Sequence, residues 1–406
     1  MSTSNIIANT NMSNIAESIT ESKDEYVVTE VKSFDELGLN ENLLRGIYSM
    51  GYTTPSQIQR KAIKPMIEHR DLIAQAQSGT GKTATFLIGS LQQVDATLNR
   101  PQVLVICPNH ELAQQIYYNY SCLSQYMKLK SVLLIGGTSI DENVKALDKG
   151  AQFIVGTPGR IQDMIKRYVL KTNQLKCVVI DEADEMLSKG FKEQLQEIFK
   201  FIPKQCQVCV FSATMPDTTL EIMNNIMTSN VVRILVNPEE VTLDGIDQYY
   251  LGVDDESWKV DTLVELYERL RINQTIIFIN GRRKAEALKE QLEQQMFTVA
   301  LIHGEMKHVE REQVMRSFRT GESRILLATD VIARGIDIQQ VSVVINYDMP
   351  RLCETYIHRI GRTGRYGRKG IAINFVTQNE VGIIDRLQKW YKTTINPFPD
   401  NLNDLF

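Results

Sequence analysis

A succession of short apolar runs, separated by stretches of helical periodicity, leaves this chain few folds to choose from. Asp71-Leu72-Ile73-Ala74, Val103-Leu104-Val105-Ile106, Ser131 to Ile135, Phe153-Ile154-Val155, Cys177 to Ile180 and Val208 to Phe211 form a first series. Thr275 to Ile279, Val299 to Ile302, Arg324 to Leu327, Val341 to Ile345 and Ile371 to Phe375 form a second. Runs rich in Val and Ile that do not alternate with polar residues read as strands buried on both faces, which is the signature of a parallel sheet covered by helices. Leu43, Leu44 and Ile47 at helical spacing, and the stretches Arg283 to Gln295 and Val309 to Phe318, supply such helices. At 406 residues the chain exceeds one ordinary domain. The expected fold class is α/β, with two tandem domains, each a parallel sheet covered by helices.

Punctuation in the sequence places the boundaries. Residues 1–30 are rich in Ser, Thr and Asn, with Glu17, Glu21, Asp24, Glu25 and Glu30 against Lys23, and read as a disordered polar tail. The polar stretch from Asn237 to Gly245 carries Pro238 and Gly245. The expected division is a first domain over 31–236, a linker over 237–246 and a second domain over 247–406.

Composition narrows the class further. The chain is 43% hydrophobic and 23% charged, as expected of a soluble globular protein, and its formal net charge is -4. A bulk basic surface is absent, so any nucleic-acid contact must use a local basic groove. No apolar run approaches the roughly 20 residues that span a bilayer, and the first 30 residues carry neither the basic nor the apolar region of a secretory signal. The expectation is an intracellular protein without a membrane anchor. Cys206 and Cys209 form a CxxC, but no second pair or matching histidines follow, and Gln207 to Phe211 reads as a buried strand in which Cys packs as a small hydrophobe.

Two motifs carry chemistry. Ala76-Gln77-Ser78-Gly79-Thr80-Gly81-Lys82-Thr83 lies between a strand and an apolar helix, and is a P-loop with Ala76 in place of the first Gly. Gly79 and Gly81 allow backbone N–H groups to wrap phosphates, and the helix N-terminus adds its dipole. Lys82 is placed to reach the β- and γ-phosphates, and the Thr83 hydroxyl to hold Mg2+. Asp181-Glu182-Ala183-Asp184 follows the buried strand Cys177 to Ile180, where a carboxylate holds Mg2+ in P-loop enzymes. Asp181 fits that role, and Glu182 is placed to polarise the attacking water.

With these residues in view, the chain resembles the DEAD-box RNA helicases, whose other motifs stand in order from Phe34 to about Arg368. The resemblance implies two RecA-like domains with the ATP and RNA sites at the cleft between them. Gly51 to Gln59 resembles the Q motif, which implies that Gln59 reads the adenine edge while Phe34 and Tyr52 pack beside it. Phe211-Ser212-Ala213-Thr214 resembles the family's Ser-Ala-Thr motif, implying that Ser212 and Thr214 couple hydrolysis to strand separation through Asp184. Gly136-Gly137 and Thr157-Pro158-Gly159-Arg160 resemble RNA-backbone contacts, which carry no base information. Thr329-Asp330 and Ala333-Arg334-Gly335-Ile336-Asp337 resemble motif V, implying that Thr329 meets RNA and that Gly335 and Asp337 meet ATP. His358 to Arg365 resembles motif VI, implying arginine fingers at Arg362 and Arg365 and coupling roles for His358 and Arg359. Arg282 is a further RNA candidate.

Within the family the chain is most similar to the translation-initiation factor 4A group, through Asn42 to Tyr48, Trp258 to Leu263 and Asp400 to Leu405. That similarity implies an RNA-stimulated ATP hydrolase that uses ATP and Mg2+ and separates short duplexes or remodels RNA–protein complexes. It implies action in translation initiation as a monomer, a helical-repeat scaffold partner of the initiation-factor 4G type, and a cytoplasmic rather than nuclear place. An ATP-gated RNA clamp serving as an assembly platform needs the same motifs. The sequence departs from the group where Pro108-Asn109-His110 replaces Pro-Thr-Arg, and His110 is mostly neutral at pH 7. Tyr52 replaces Phe, Gly281 replaces Thr and His308 replaces Gln. Tyr52 is a mild change and the other ATP-site residues are intact, so the consequence of the departures falls on RNA binding.

Overall fold

The computed structural model describes residues 26, 28–76, 80–188, 190–224, 226–227, 231–235, 245–270, 272–330, 341–364 and 369–399. A first sheet is built from β1 (Asp71–Gln75), β2 (Val103–Ile106), β3 (Ser131–Leu134), β4 (Phe153–Gly156), β5 (Cys177–Asp181), β6 (Gln207–Ser212) and β7 (Val231–Ile234). A second holds β8 (Ile246–Gly252), β9 (Thr275–Phe278), β10 (Val299–Ile302), β11 (Ile325–Ala328), β12 (Val343–Asn346), β13 (Gly370–Val376) and β14 (Asn396–Pro397). Every pairing is parallel, in the orders β3-β4-β2-β5-β6-β1-β7 and β10-β11-β9-β12-β13-β8-β14.

Helices α1 (Glu41–Ser49), α2 (Gln57–Ile67), α3 (Lys82–Leu91), α4 (His110–Leu123), α5 (Ile140–Asp148), α6 (Pro158–Lys166), α7 (Ala183–Ser188), α8 (Lys192–Phe199) and α9 (Asp217–Asn224) accompany the first sheet. With the second go α10 (Lys259–Arg269), α11 (Arg282–Gln294), α12 (His308–Thr320), α13 (Cys353–Ile360) and α14 (Val381–Tyr391). Alternate residues of each strand point to opposite faces. Leu72, Val103, Val105, Val179 and Phe211 therefore join one core, and Ile73, Leu104, Ile106, Ile180 and Val210 another. The second sheet repeats this, with Ile277, Leu327 and Ile345 on one side and Ile276, Leu326 and Val344 on the other. No helix among the described residues is long and apolar enough to cross a membrane.

Three strands differ from the sequence reading. β7, β8 and β14 were not expected, and all lie at or next to the same end of their sheets, where burial is partial and the apolar pattern dilute. Ile246, assigned to the linker, opens β8, because its backbone pairs with Gly370. Most of the linker, 237–244, lies outside the described residues. Of the tail, residues 1–25 and 27 also lie outside them. Tyr26 and residues 28–30, read as disordered, instead run along α2: the Tyr26 hydroxyl donates to Glu68 (2.6 Å), Lys64 donates to Thr29 (3.0 Å), and Glu30 pairs with Lys61 (3.3 Å).

The cysteine pair sits as packing requires. Cys206 lies in one core and Cys209 in the other, so the two thiols face opposite sides of the sheet. Burial pushes both up from the usual thiol range.

Candidate functional site: a cleft between two sheets

Ala76, just after the end of β1, and the first turn of α3 stand beside the end of β6 and α2. The Ala76 N–H donates to the Ser212 carbonyl (3.0 Å), anchoring the loop to β6, while Gln77, Ser78 and Gly79 lie outside the described residues. Gly81 has φ +102, and a Cβ there would come within 2.7 Å of Gln59 Nε2. Only glycine tolerates both the left-handed backbone and that approach. Gln59 is buried in the first turn of α2, its Oε1 accepting the Ser56 N–H (2.8 Å) and its Nε2 donating to the Gly81 carbonyl (3.4 Å). The structure thus brings Gln59 and the P-loop together. Phe34 is fully buried in the first core, with Tyr52 half-buried against the same core.

Lys82 opens α3 and reaches across to the end of β5, where its Nζ pairs with Glu182 Oε1 (3.3 Å) with both side chains buried. Glu182 is held at φ +52. For a residue with a Cβ this left-handed conformation costs roughly 1–2 kcal/mol, and such strain persists where the surroundings fix it. Here it turns the chain sharply from β5 into α7, so that Asp181, Glu182 and Asp184 all face the cleft. Glu182 Oε2 is buried with no hydrogen-bond partner among the described residues.

The two adjacent carboxylates are driven apart. Burial and the neighbouring Glu182 charge push Asp181 up to about 7. Burial acts on Glu182 in the same sense, but the charges of Lys82, then of His358 and Arg362, hold it below the usual glutamate value. Such a divided pair gives one group that holds a proton and one ready to accept one. The raised Asp181 has a consequence for stability. A group whose folded value exceeds its unfolded value contributes stability below the unfolded value and loses it as pH rises through the folded one. Asp181→Asn copies the protonated form, so metal-free protein carrying it is expected to gain a Tm of roughly 2–5 °C at pH 8.5. The gain should vanish near pH 4, as differential scanning calorimetry would show. Equal Tm values at both pH values would contradict the assignment.

The residues fit a nucleotide and its metal. Gly81 carries no Cβ that would crowd Gln59 and Ser56, and Lys82 and Thr83 start α3. The candidate metal donors, Asp181 and Thr83, are oxygen ligands of the kind Mg2+ takes.

Asp184 is the centre of a knot that joins the two sheets. Ser212 Oγ donates to its Oδ1 (2.6 Å), Thr214 Oγ1 donates to its Oδ2 (2.5 Å), and His358 Nε2 on α13 lies 3.0 Å from the same Oδ2. Glu182, Asp184 and His358 lie close enough to ligate one ion, but the hydroxyl donors on Asp184 make this a hydrogen-bonded junction. Arg362 is buried just beyond α13, its Nε donating to the His358 carbonyl (3.2 Å), and its charge acts on Glu182. Arg365, Gly335 and Asp337 lie outside the described residues. Arg359, given a coupling role from sequence, turns its fully buried guanidinium into its own unit: to Asp330 (2.7 Å), Asn346 (3.3 Å), the Asp348 carbonyl (2.6 Å) and Asn280 (2.5 Å). A second junction, which sequence reasoning missed, pairs Arg311 of α12 with Glu111 of α4 at 3.1 Å. Two opposite charges 200 positions apart leave no trace in a linear pattern.

The RNA-facing candidates gather at the strand ends of the first sheet. Asn109 caps α4, its Oδ1 accepting the Leu112 N–H (2.8 Å), while its Nδ2 is buried with no partner among the described residues. His110 opens α4, and its Nε2 lies 3.3 Å from where a Cβ on Gly136 would sit. Gly137 (φ +77) faces open space, as does Gly159. Pro108 is buried beside them and Thr157 is the N-cap of α6. Arg160 spends its guanidinium within the unit, on the Thr138 hydroxyl (3.0 Å) and carbonyl (2.9 Å) and on Asn143, and so ties α6 to the Gly136-Gly137 turn. In the second sheet, Thr329 follows β11 half-buried, and Arg282 opens α11, paired with Glu305 and Glu286. Given its place beside Gly136, His110→Arg is expected to tighten single-stranded RNA binding at neutral pH. The log–log salt slope should steepen by about 0.7, one more phosphate neutralised. An unchanged affinity and slope in a fluorescence-anisotropy titration would remove His110 from the RNA surface.

Known proteins of similar sequence and fold exist for both units. Residues 56–222 match the DEAD/DEAH box helicase family model, and residues 258–367 match the helicase conserved C-terminal domain. The chain is 52% identical over 375 residues to the ATP-dependent RNA helicase eIF4A of Chaetomium globosum, covering 92% of this chain and 94% of that protein. It is 50% identical over 378 residues to the ATP-dependent RNA helicase fal1 of Schizosaccharomyces pombe, covering 93% and 96%. Among solved structures it is similar to S. cerevisiae Dbp5 bound to RNA and ADP BeF3, with a TM-score of 0.85 and 38% identity over 92% of this chain and 97% of that one.

Proposed function

We propose a function for this chain from one premise: it belongs to the DEAD-box family of ATP-dependent RNA helicases, enzymes whose ATP hydrolysis is stimulated by RNA. The observation that carries the reading is the junction at Asp184, where Ser212 and Thr214 of the first unit meet His358 of the second on one carboxylate. Residues that hold ATP and residues that complete hydrolysis stand on different units, so neither unit is sufficient. Closing the cleft assembles the site, and RNA lying across both units favours the same closed state. The two ligands are therefore coupled, each raising the affinity for the other.

Within the site, Gln59 reads the adenine edge, and the turn before Lys82 wraps the phosphates. Lys82 leaves Glu182 for the phosphate oxygens, which frees Glu182, already ionised, to take a proton from the attacking water. Arg362 approaches from α13, with Arg365 as a second finger. Asp181 and Thr83 would hold Mg2+, which when bound neutralises charge on the phosphates. Asn109, Gly137 and Thr157 on one unit, and Thr329 on the other, grip the RNA backbone without reading bases. Short duplexes are separated locally as one strand is bent. The similarity to eIF4A points to translation initiation in the cytoplasm, with a helical-repeat scaffold holding a monomer.

Steady-state ATP hydrolysis by the purified chain, with and without single-stranded RNA at low salt, tests the reading. Strong stimulation is expected. Robust hydrolysis indifferent to RNA would overturn the coupling.

A further inference from the structure

The two sheets correspond strand for strand. β8 holds in the second the place that β1 holds in the first, and β12 the place of β5. The correspondence extends beyond the strands. Six residues, 76–81, separate β1 from α3, and Lys82 opens that helix; six residues, 253–258, separate β8 from α10, and Lys259 opens it. Asp181 ends β5, and Asp348 follows the end of β12 by two residues. In open α/β sheets the crevice at these strand ends is where ligands bind. In the second unit the protein's own ions fill it. Lys259 is fully buried, with its Nζ 3.0 Å from Glu256, 3.4 Å from Asp348 and 3.6 Å from Glu380, and it lies 5.5 Å from the centre of the Tyr347 ring. Lys284 joins Glu256 and Asp348 beside it.

This cluster leads directly to α13. Asp348 turns Oδ1 to the two lysines and accepts the Asn280 N–H on Oδ2 (2.8 Å), while its carbonyl accepts Arg359 Nη1 (2.6 Å). Asn280 accepts Arg359 Nη2 on its Oδ1 and donates to the Met349 carbonyl (2.7 Å). Arg359 is the neighbour of His358, which meets Asp184 across the cleft, and lies three residues before Arg362. Burying the Lys259 and Arg359 cations and the Asp348 carboxylate is a poor route to stability, because desolvation offsets most of the attraction. What such a cluster does well is fix geometry.

We propose that the Lys259–Asp348 cluster is a degenerate counterpart of the ATP site, occupied by the protein's own side chains in place of a nucleotide, and that it positions α13 so that His358 and Arg362 meet the first unit. The inference rests on the reading of the cleft as an RNA-stimulated ATPase. Lys259 is then a positioning residue, remote from ATP.

The test uses the full chain with Lys259→Met, Lys259→Arg and Asp348→Asn, reading Tm, binding of a fluorescent ATP analogue without RNA, and RNA-stimulated kcat. A misplacement of about 1 Å can cost about 10²-fold in rate, so folded Lys259→Met is expected to lose about 10–100-fold in kcat. Its ATP affinity should stay within about two-fold, and Lys259→Arg should recover most of the rate. Wild-type kcat in folded Lys259→Met, or parallel losses of kcat and ATP affinity, would overturn the proposal. If Lys259→Met does not fold, Asp348→Asn carries the same test, since it keeps the shape and removes the charge. Failure of both to fold would make the cluster structural only and also overturn the proposal. A wild-type chain indifferent to RNA defeats the functional reading instead, which separates the two failures.

Discussion

Glu182→Gln is expected to lower RNA-stimulated kcat by about 10²–10⁴, the range that a positioned general base supplies. The substitution keeps the side chain's length and its hydrogen-bonding oxygen, so the φ +52 turn and the cleft wall should persist. What it removes is the proton acceptor. Glu182 is suited to that task because Lys82, His358 and Arg362 hold it ionised despite full burial, and because Oε2 has no hydrogen-bond partner among the described residues. ATP affinity measured at equilibrium should change only a few-fold, since the loop and α3 are untouched. A variant that hydrolyses at the wild-type rate would show that another group activates water. A variant that loses ATP binding together with rate would assign Glu182 to nucleotide retention through Lys82.

The second large effect is expected at Arg362. Loss of an arginine finger costs about 10³–10⁵ in rate in well-studied nucleotide hydrolases. Arg362→Lys keeps the charge but loses the planar fork that can donate two bonds at once, so a loss of about 10³ is expected. Arg362 reaches the site from the second unit, whereas Lys82, Gln59 and the loop belong to the first. Binding of ATP in the absence of RNA should therefore be nearly unchanged, and the defect should appear in single-turnover hydrolysis. Arg362 is buried and donates to the His358 carbonyl, so a Tm measurement must accompany the kinetics. Near-wild-type single-turnover rates in a folded variant would leave Arg365 as the finger.

Much of this site could be read in advance because its parts are local. A glycine-rich turn before Lys82 and a carboxylate run after a buried strand are set by consecutive residues, and the same holds for Ser212 and Thr214 at the end of β6. The central strands were equally legible, since burial on both faces writes an unbroken apolar run. Where burial is one-sided the signal fails. β7 alternates Val232 and Ile234 with partly or fully exposed neighbours, and β8 buries little beyond Gln248, so it carried no strand signal and its first residue, Ile246, was assigned to the linker. Tyr26 and its neighbours looked like the end of a polar tail because their order comes from contacts with α2, 31 or more positions away.

The sequence by itself determined the two α/β units, the P-loop, the carboxylates and the candidate fingers, because each depends on residue types at short, fixed spacing. Only the tertiary structure decided what those residues touch. It joined Asp184 to His358 and Glu111 to Arg311, turned Arg359 and Arg160 inward, and sealed the second crevice with Lys259 and Asp348. Such pairings join residues tens to hundreds of positions apart. Their distances, and the buried surroundings that drive Asp181 and Glu182 apart, arise only when the sheets have formed and closed on one another.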